Sequence, residues 1–78
     1  MDEKQIRHTI AETVAEEHQL RGKGATMTAE DRVRLRHLEE SLDQCWDLLR
    51  QRDALRHAGV DPATATARST GEVEGYLQ

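Results

Sequence analysis

Carboxylates, histidines and a single thiol are the groups in this chain that could do chemistry. Glu16, Glu17 and His18 are consecutive, and Asp43 and Asp47 are four residues apart. A carboxylate-bridged metal site in a helical bundle typically uses a Glu-x-x-His motif on paired helices. No histidine here has a glutamate three residues before it. We therefore predict no metal site and no cofactor, and we expect the aspartates to face solvent.

Cys45 is the single cysteine, which excludes an intramolecular disulfide and a zinc site built from several cysteines. A catalytic thiol needs a lowered pKa and an oriented base. Cys45 falls instead within an apolar stripe, where cysteine behaves as a small hydrophobic residue. We predict a structural role for Cys45, no catalytic residue, and a protein that is not an enzyme.

The spacing of apolar residues predicts a first helix over residues 2–21. Asp2 can cap its beginning, and the pair of glycines between Gly22 and Met27 ends it. One stripe of this helix has heptad spacing, although two of its members are polar. Its members are Ile6, Ile10, Thr13, Glu17 and Leu20.

A second, longer helix is predicted over residues 28–58. Thr28 and Asp31 have the spacing of a capping box, and Gly59 with Pro62 ends the helix. Its apolar stripe also has heptad spacing until it reaches an arginine. The stripe consists of Leu35, Leu38, Leu42, Cys45, Leu49 and Arg52.

These elements predict an all-α protein. Residues 1–59 would form an antiparallel two-helix hairpin with a short first helix and a long second one, because the connection is short. Residues 60–78 would form a linker and a flexible C-terminal tail, since residues 63–71 are mostly small and polar. We expect two hairpins to assemble as a helical-bundle homodimer.

The dimer is expected because the two helices differ in length. Helix 1 would cover helix 2 only as far as about Cys45, which leaves the apolar side chains beyond it without a partner. Either a second copy packs there, or the tail folds back and places Tyr76 and Leu77 there; we favour the second copy. The predicted interaction residues are Cys45, Trp46, Leu48, Leu49, Arg52, Leu55, Tyr76 and Leu77.

The same register predicts interhelix ion pairs of Glu17 with Arg32 and Arg36. The arginines near the beginning of helix 2, Arg32, Arg34 and Arg36, also suggest an alternative function, the binding of nucleic acid or of the transcription machinery. They are soon followed by four acidic residues, and the net charge of the chain is −4. A solvated face that pairs with protein is therefore the favoured interpretation.

Several stretches resemble a family of small actinobacterial proteins that is classed as a domain of unknown function. They are E-E-H at residues 16–18, L-D-Q-C-W-D-L-L-R-Q-R at 42–52, A-G-V-D-P at 58–62 and the terminal E-V-E-G-Y-L-Q. The resemblance covers nearly the whole chain. It implies a cytoplasmic actinobacterial protein, and it brings no activity or catalytic residue to this sequence.

No apolar run is long enough for a membrane helix, and the first residues lack the pattern of a signal peptide. We expect a cytoplasmic protein that acts as an interaction or adaptor module. Its partners would be a second copy of itself and an unidentified protein.

Overall fold

A computed structural model describes residues 2–77 of the chain, and within this range it contains three α-helices and no strand. The helices are α1 (Glu3–Arg21), α2 (Ala29–His57) and α3 (Thr70–Leu77). Short 3-10 turns at Gly24–Thr26 and Pro62–Thr64 connect them. The predicted all-α class is confirmed. None of the described helices is both long and apolar enough to span a membrane.

Local capping groups determine where α1 and α2 begin. Asp2 accepts a hydrogen bond from the Gln5 amide at 2.8 Å, and the Gln5 side chain accepts one from the Asp2 amide at 2.9 Å. Thr28 and Asp31 form the same reciprocal box at the beginning of α2. Both helices begin and end within one residue of the predicted limits.

The packing of α1 on α2 forms the core. Glu3 in the first turn of α1 lies 3.0 Å from Arg56 at the end of α2, and Glu16 lies 2.6 Å from Arg34. The beginning of α1 thus contacts the end of α2, and the later part of α1 contacts the earlier part of α2. The two helices therefore lie side by side and antiparallel. The buried residues of α1 are the five of its predicted stripe. The central apolar cluster consists of Ile6, Ile10, Cys45, Leu48 and Leu49.

The predicted register of α1 against α2 is wrong, because the beginning of α1 reaches Arg56 of α2 instead of covering α2 only as far as about Cys45. Ile6 and Ile10 pack in one cluster with Cys45, Leu48 and Leu49, and Leu42 packs against this cluster. The reason is the connection over residues 22–28, whose 3-10 turn contains Gly24 at a positive φ of 54°. Residues 22–28 do not reverse the chain directly. The first residues of α2 therefore extend past the end of α1.

The predicted flexible tail is also wrong, because the C-terminal residues fold back onto α2. Gly59, with a φ of 75°, reverses the chain at the end of α2, and the Val60 amide donates to the Leu55 carbonyl at 2.8 Å. The stretch 62–69, which we call the strap, then returns along α2. Ser69 accepts from the Glu72 amide at 3.2 Å at the beginning of α3, and Val73 of α3 is fully buried.

Candidate interaction surface

Asp47 is the polar centre that joins α3 and the strap to α2. Its side chain is buried, with 3% of the residue exposed. It accepts a hydrogen bond from Gln51 Nε2 at 2.9 Å and another from the Tyr76 hydroxyl, and it lies 3.5 Å from Arg68 Nε. A buried carboxylate is tolerated when it has such partners. The expectation that Asp47 faces solvent is therefore wrong.

Side chains of α2 hold the strap by its backbone. Gln51 and Gln44 donate to the carbonyls of Thr66 and Arg68, each at 3.0 Å, and Arg52 donates to the carbonyl of Pro62 at 3.3 Å. Ala65 packs against the core cluster. The strap therefore covers one side of the α1–α2 pair, where Thr9, Ser41, Gln44 and Leu48 lie beside Ala67.

The other side of the α1–α2 pair is open and contains Trp46, which is 42% exposed. We call this depression, of about 240 Å³, the Trp46 groove. Val14 of α1 is also exposed, at 46%, and lies about two helical turns after Arg7, which lines the groove. The groove is lined by Glu3, Arg7, Trp46, Leu49, Arg50, Asp53 and Arg56.

The predicted interaction residues separate into interior and surface positions. Cys45, Leu48 and Leu49 are buried in the core of the same chain, because α1 extends farther than predicted. Arg52 and Leu55 are partly buried. Trp46, Tyr76 and Leu77 are exposed. Burial also raises the pKa of the Cys45 thiol, which disfavours the reactive thiolate.

The interhelix ion pairs use different residues from the predicted ones. Glu17 is buried and pairs with Arg21 of its own helix at 3.1 Å, instead of with Arg32 or Arg36. Within residues 2–77, the pairs that join α1 to α2 are Glu16 with Arg34, Arg21 with Glu39 and Glu3 with Arg56. The hydrogen bond from Arg34 holds the pKa of the Glu16 carboxyl below its ordinary value.

The sequence model of a family described as "Protein of unknown function (DUF2630)" matches residues 2–78. The chain belongs to this family. It is similar to the uncharacterized protein Rv0898c of Mycobacterium tuberculosis, with 47% identity over 78 residues that cover 96% of this chain and 88% of the relative. The uncharacterized protein Mb0922c of Mycobacterium bovis matches with the same identity and coverage. No solved structure matches the chain.

The family description assigns no activity, so the chemistry of this member must be judged from its own side chains. Among residues 2–77, no group of three or more His, Cys, Asp and Glu side chains is arranged to hold a metal ion. Asp47, Gln51 and Arg68 were not predicted as functional residues. Asp47 and Gln51 lie on a face of α2 away from its apolar stripe, and Arg68 lies in the strap. Heptad spacing therefore does not indicate any of these three residues.

Proposed function

We propose that this member of the family is a protein–protein interaction module of the adaptor type that associates with a second copy of itself through the Trp46 groove. The observation that supports this most directly is the position of the chain's only tryptophan. It is 42% exposed in the open groove, although the strap covers the opposite side of the same helix pair. Tryptophan is enriched among the residues that dominate binding energy at protein interfaces.

The charges around Trp46 are complementary to those of a second copy. Asp43 comes three residues before Trp46 and Arg50 four residues after it, so the three share one face of α2. If two α2 helices cross antiparallel with Trp46 at the twofold axis, Asp43 of each copy faces Arg50 of the other. An apolar centre with a charged rim is the usual anatomy of such an interface.

Replacing Trp46 tests the proposal. We expect wild-type protein to have the mass of a dimer by light scattering at high concentration, and Trp46→Ala to reduce that mass to a monomer. The reason is that truncation of a central interface tryptophan commonly costs about 2 kcal/mol or more of binding free energy.

Val33→Ala is the matched control, because Val33 is also an exposed apolar residue of α2, at 47%, and lies outside the groove. The control should remain dimeric. A wild-type chain that stays monomeric in concentrated solution would overturn the proposal, as would equal effects of the two substitutions.

Nucleic-acid binding is the less favoured alternative. Arg34 and Arg56 of α2 pair with glutamates of α1, which reduces the positive charge available for phosphates. With a net charge of −4 as well, the chain has little of the electrostatic character that such binding needs.

A further inference from the structure

The strap is held on α2 by its backbone carbonyls. Three side chains of α2 donate hydrogen bonds to them, and the order of the donors along α2 is the reverse of the order of the acceptors along the strap. The pairs are Arg52 with Pro62, Gln51 with Thr66 and Gln44 with Arg68. Hydrogen bonds to the backbone of an extended segment do not depend on its side chains. The surface under the strap, which we call the strap site, can therefore hold another extended segment in the same way.

Two alanines of the strap leave space beside them. Ala65 lines a depression of about 350 Å³, which Leu55 of α2 also lines. Ala67 lines a second depression, of about 190 Å³, together with Leu48 of α2. The side chain of each alanine is a single methyl group, which is too short to fill such a space. The strap thus occupies its site without using the apolar surface that the two depressions offer.

The spacing of the two depressions matches the repeat of an extended chain. Ala65 has a φ of −65° and a ψ of 138°, which is extended backbone. Side chains two residues apart in an extended chain lie on the same face. Thr66, between the two alanines, is exposed and lines neither depression. A segment with larger apolar side chains at the positions of Ala65 and Ala67 therefore fits the strap site better than the strap does.

We infer that the strap site is a docking site for an extended segment of a partner protein, with aliphatic side chains two residues apart that enter the two depressions. Each CH₂ group buried there strengthens binding by about fourfold. This gain is needed because the strap is tethered and competes at a high effective concentration. A second copy is not the occupant, since its strap has the same alanines. The docking does not depend on association through the Trp46 groove, which lies on the opposite side of the helix pair.

Binding of labelled peptides to the full-length chain tests the docking site. The probe is a fluorescein-labelled peptide of residues 61–69 with Ala65→Leu and Ala67→Leu. The control peptide has Ala63→Leu and Thr66→Leu, at exposed positions that line neither depression. By fluorescence anisotropy, the probe should bind about tenfold or more tightly than the control peptide and the peptide of unchanged sequence. Equal affinities, or no binding of the probe, would overturn the proposal.

Variants of the full-length chain locate the bound probe. A chain with Ala65→Leu and Ala67→Leu fills the depressions with its own strap, so it should bind the probe about tenfold or more weakly than the wild type. A chain with Ala63→Leu and Thr66→Leu should bind the probe as the wild type does, and so should Trp46→Ala. Unchanged binding by the first variant, or loss of binding in Trp46→Ala, would place the probe elsewhere and overturn the proposal.

Discussion

At the scale of single residues, Asp47 and Trp46 are neighbours with opposite environments. Asp47 is buried and hydrogen-bonded by groups from the C-terminal part of the chain, whereas Trp46 is exposed on an open face. The two side chains point about 100° apart around α2, as consecutive residues of a helix do. One residue therefore holds the chain's own C-terminal segment, and the other is available to a partner.

Asp47→Ala should destabilise the protein by about 1–2 kcal/mol, since it removes the buried acceptor that Tyr76, Gln51 and Arg68 share. Urea denaturation followed by circular dichroism measures this loss. The control is Glu12→Ala, because the Glu12 side chain is exposed, pairs with the exposed His8 of the same helix and lies outside the Trp46 groove; it should change stability by less than about 0.5 kcal/mol. Equal losses for the two variants would show that Asp47 does not hold the C-terminal segment.

At the scale of elements, α2 is central because the other parts of the chain pack on it from different sides. α1 covers its apolar stripe, the strap is bonded to Gln44 and Gln51, and the Tyr76 hydroxyl of α3 donates to Asp47. The return of the chain depends on the turn at Gly59, whose positive φ lets the Val60 amide reach the Leu55 carbonyl. The remaining face of α2 contains Trp46.

Two glycine substitutions should have opposite effects on stability. Gly59→Ala should cost about 1 kcal/mol, because an alanine is strained at a φ of 75° although no atom obstructs its Cβ. Gly75 lies within α3 with open space around it and no positive φ, so Gly75→Ala should stabilise the protein by about 0.5–1 kcal/mol. Thermal unfolding measures both, and a stabilising Gly59→Ala would contradict the left-handed turn.

At the scale of the whole molecule, the chain is an elongated and flat body of 49 × 25 × 14 Å. A body that is about one helix thick buries few side chains completely, and here Ile6 and Val73 are the largest fully buried ones among residues 2–77. A second copy on the open side would cover Trp46 and Val14 and thicken the core. This shape is therefore consistent with the proposed association.

Charge reversal tests the proposed arrangement of the two copies. Arg50→Glu should weaken dimerisation, because the introduced carboxylate of each copy would then face Asp43 of the other, and added salt should partly restore it. Lys4→Glu is the control, since Lys4 is an exposed basic residue of α1 outside the groove. Sedimentation at low and high salt compares the two. A dimer that tolerates Arg50→Glu would require a different orientation of α2 against α2.

Local sequence by itself determined the helices α1 and α2 and the buried stripe of α1. Capping residues such as Thr28 act over three residues, and heptad spacing repeats over a few turns, so both can be recognised without knowledge of the fold. Only the tertiary structure decided the register, which depends on the geometry of the connection at residues 22–28. It also decided the docking of α3: eight residues are too few to form a stable helix alone, and α3 is ordered by the contacts of Val73 and Tyr76 with α2.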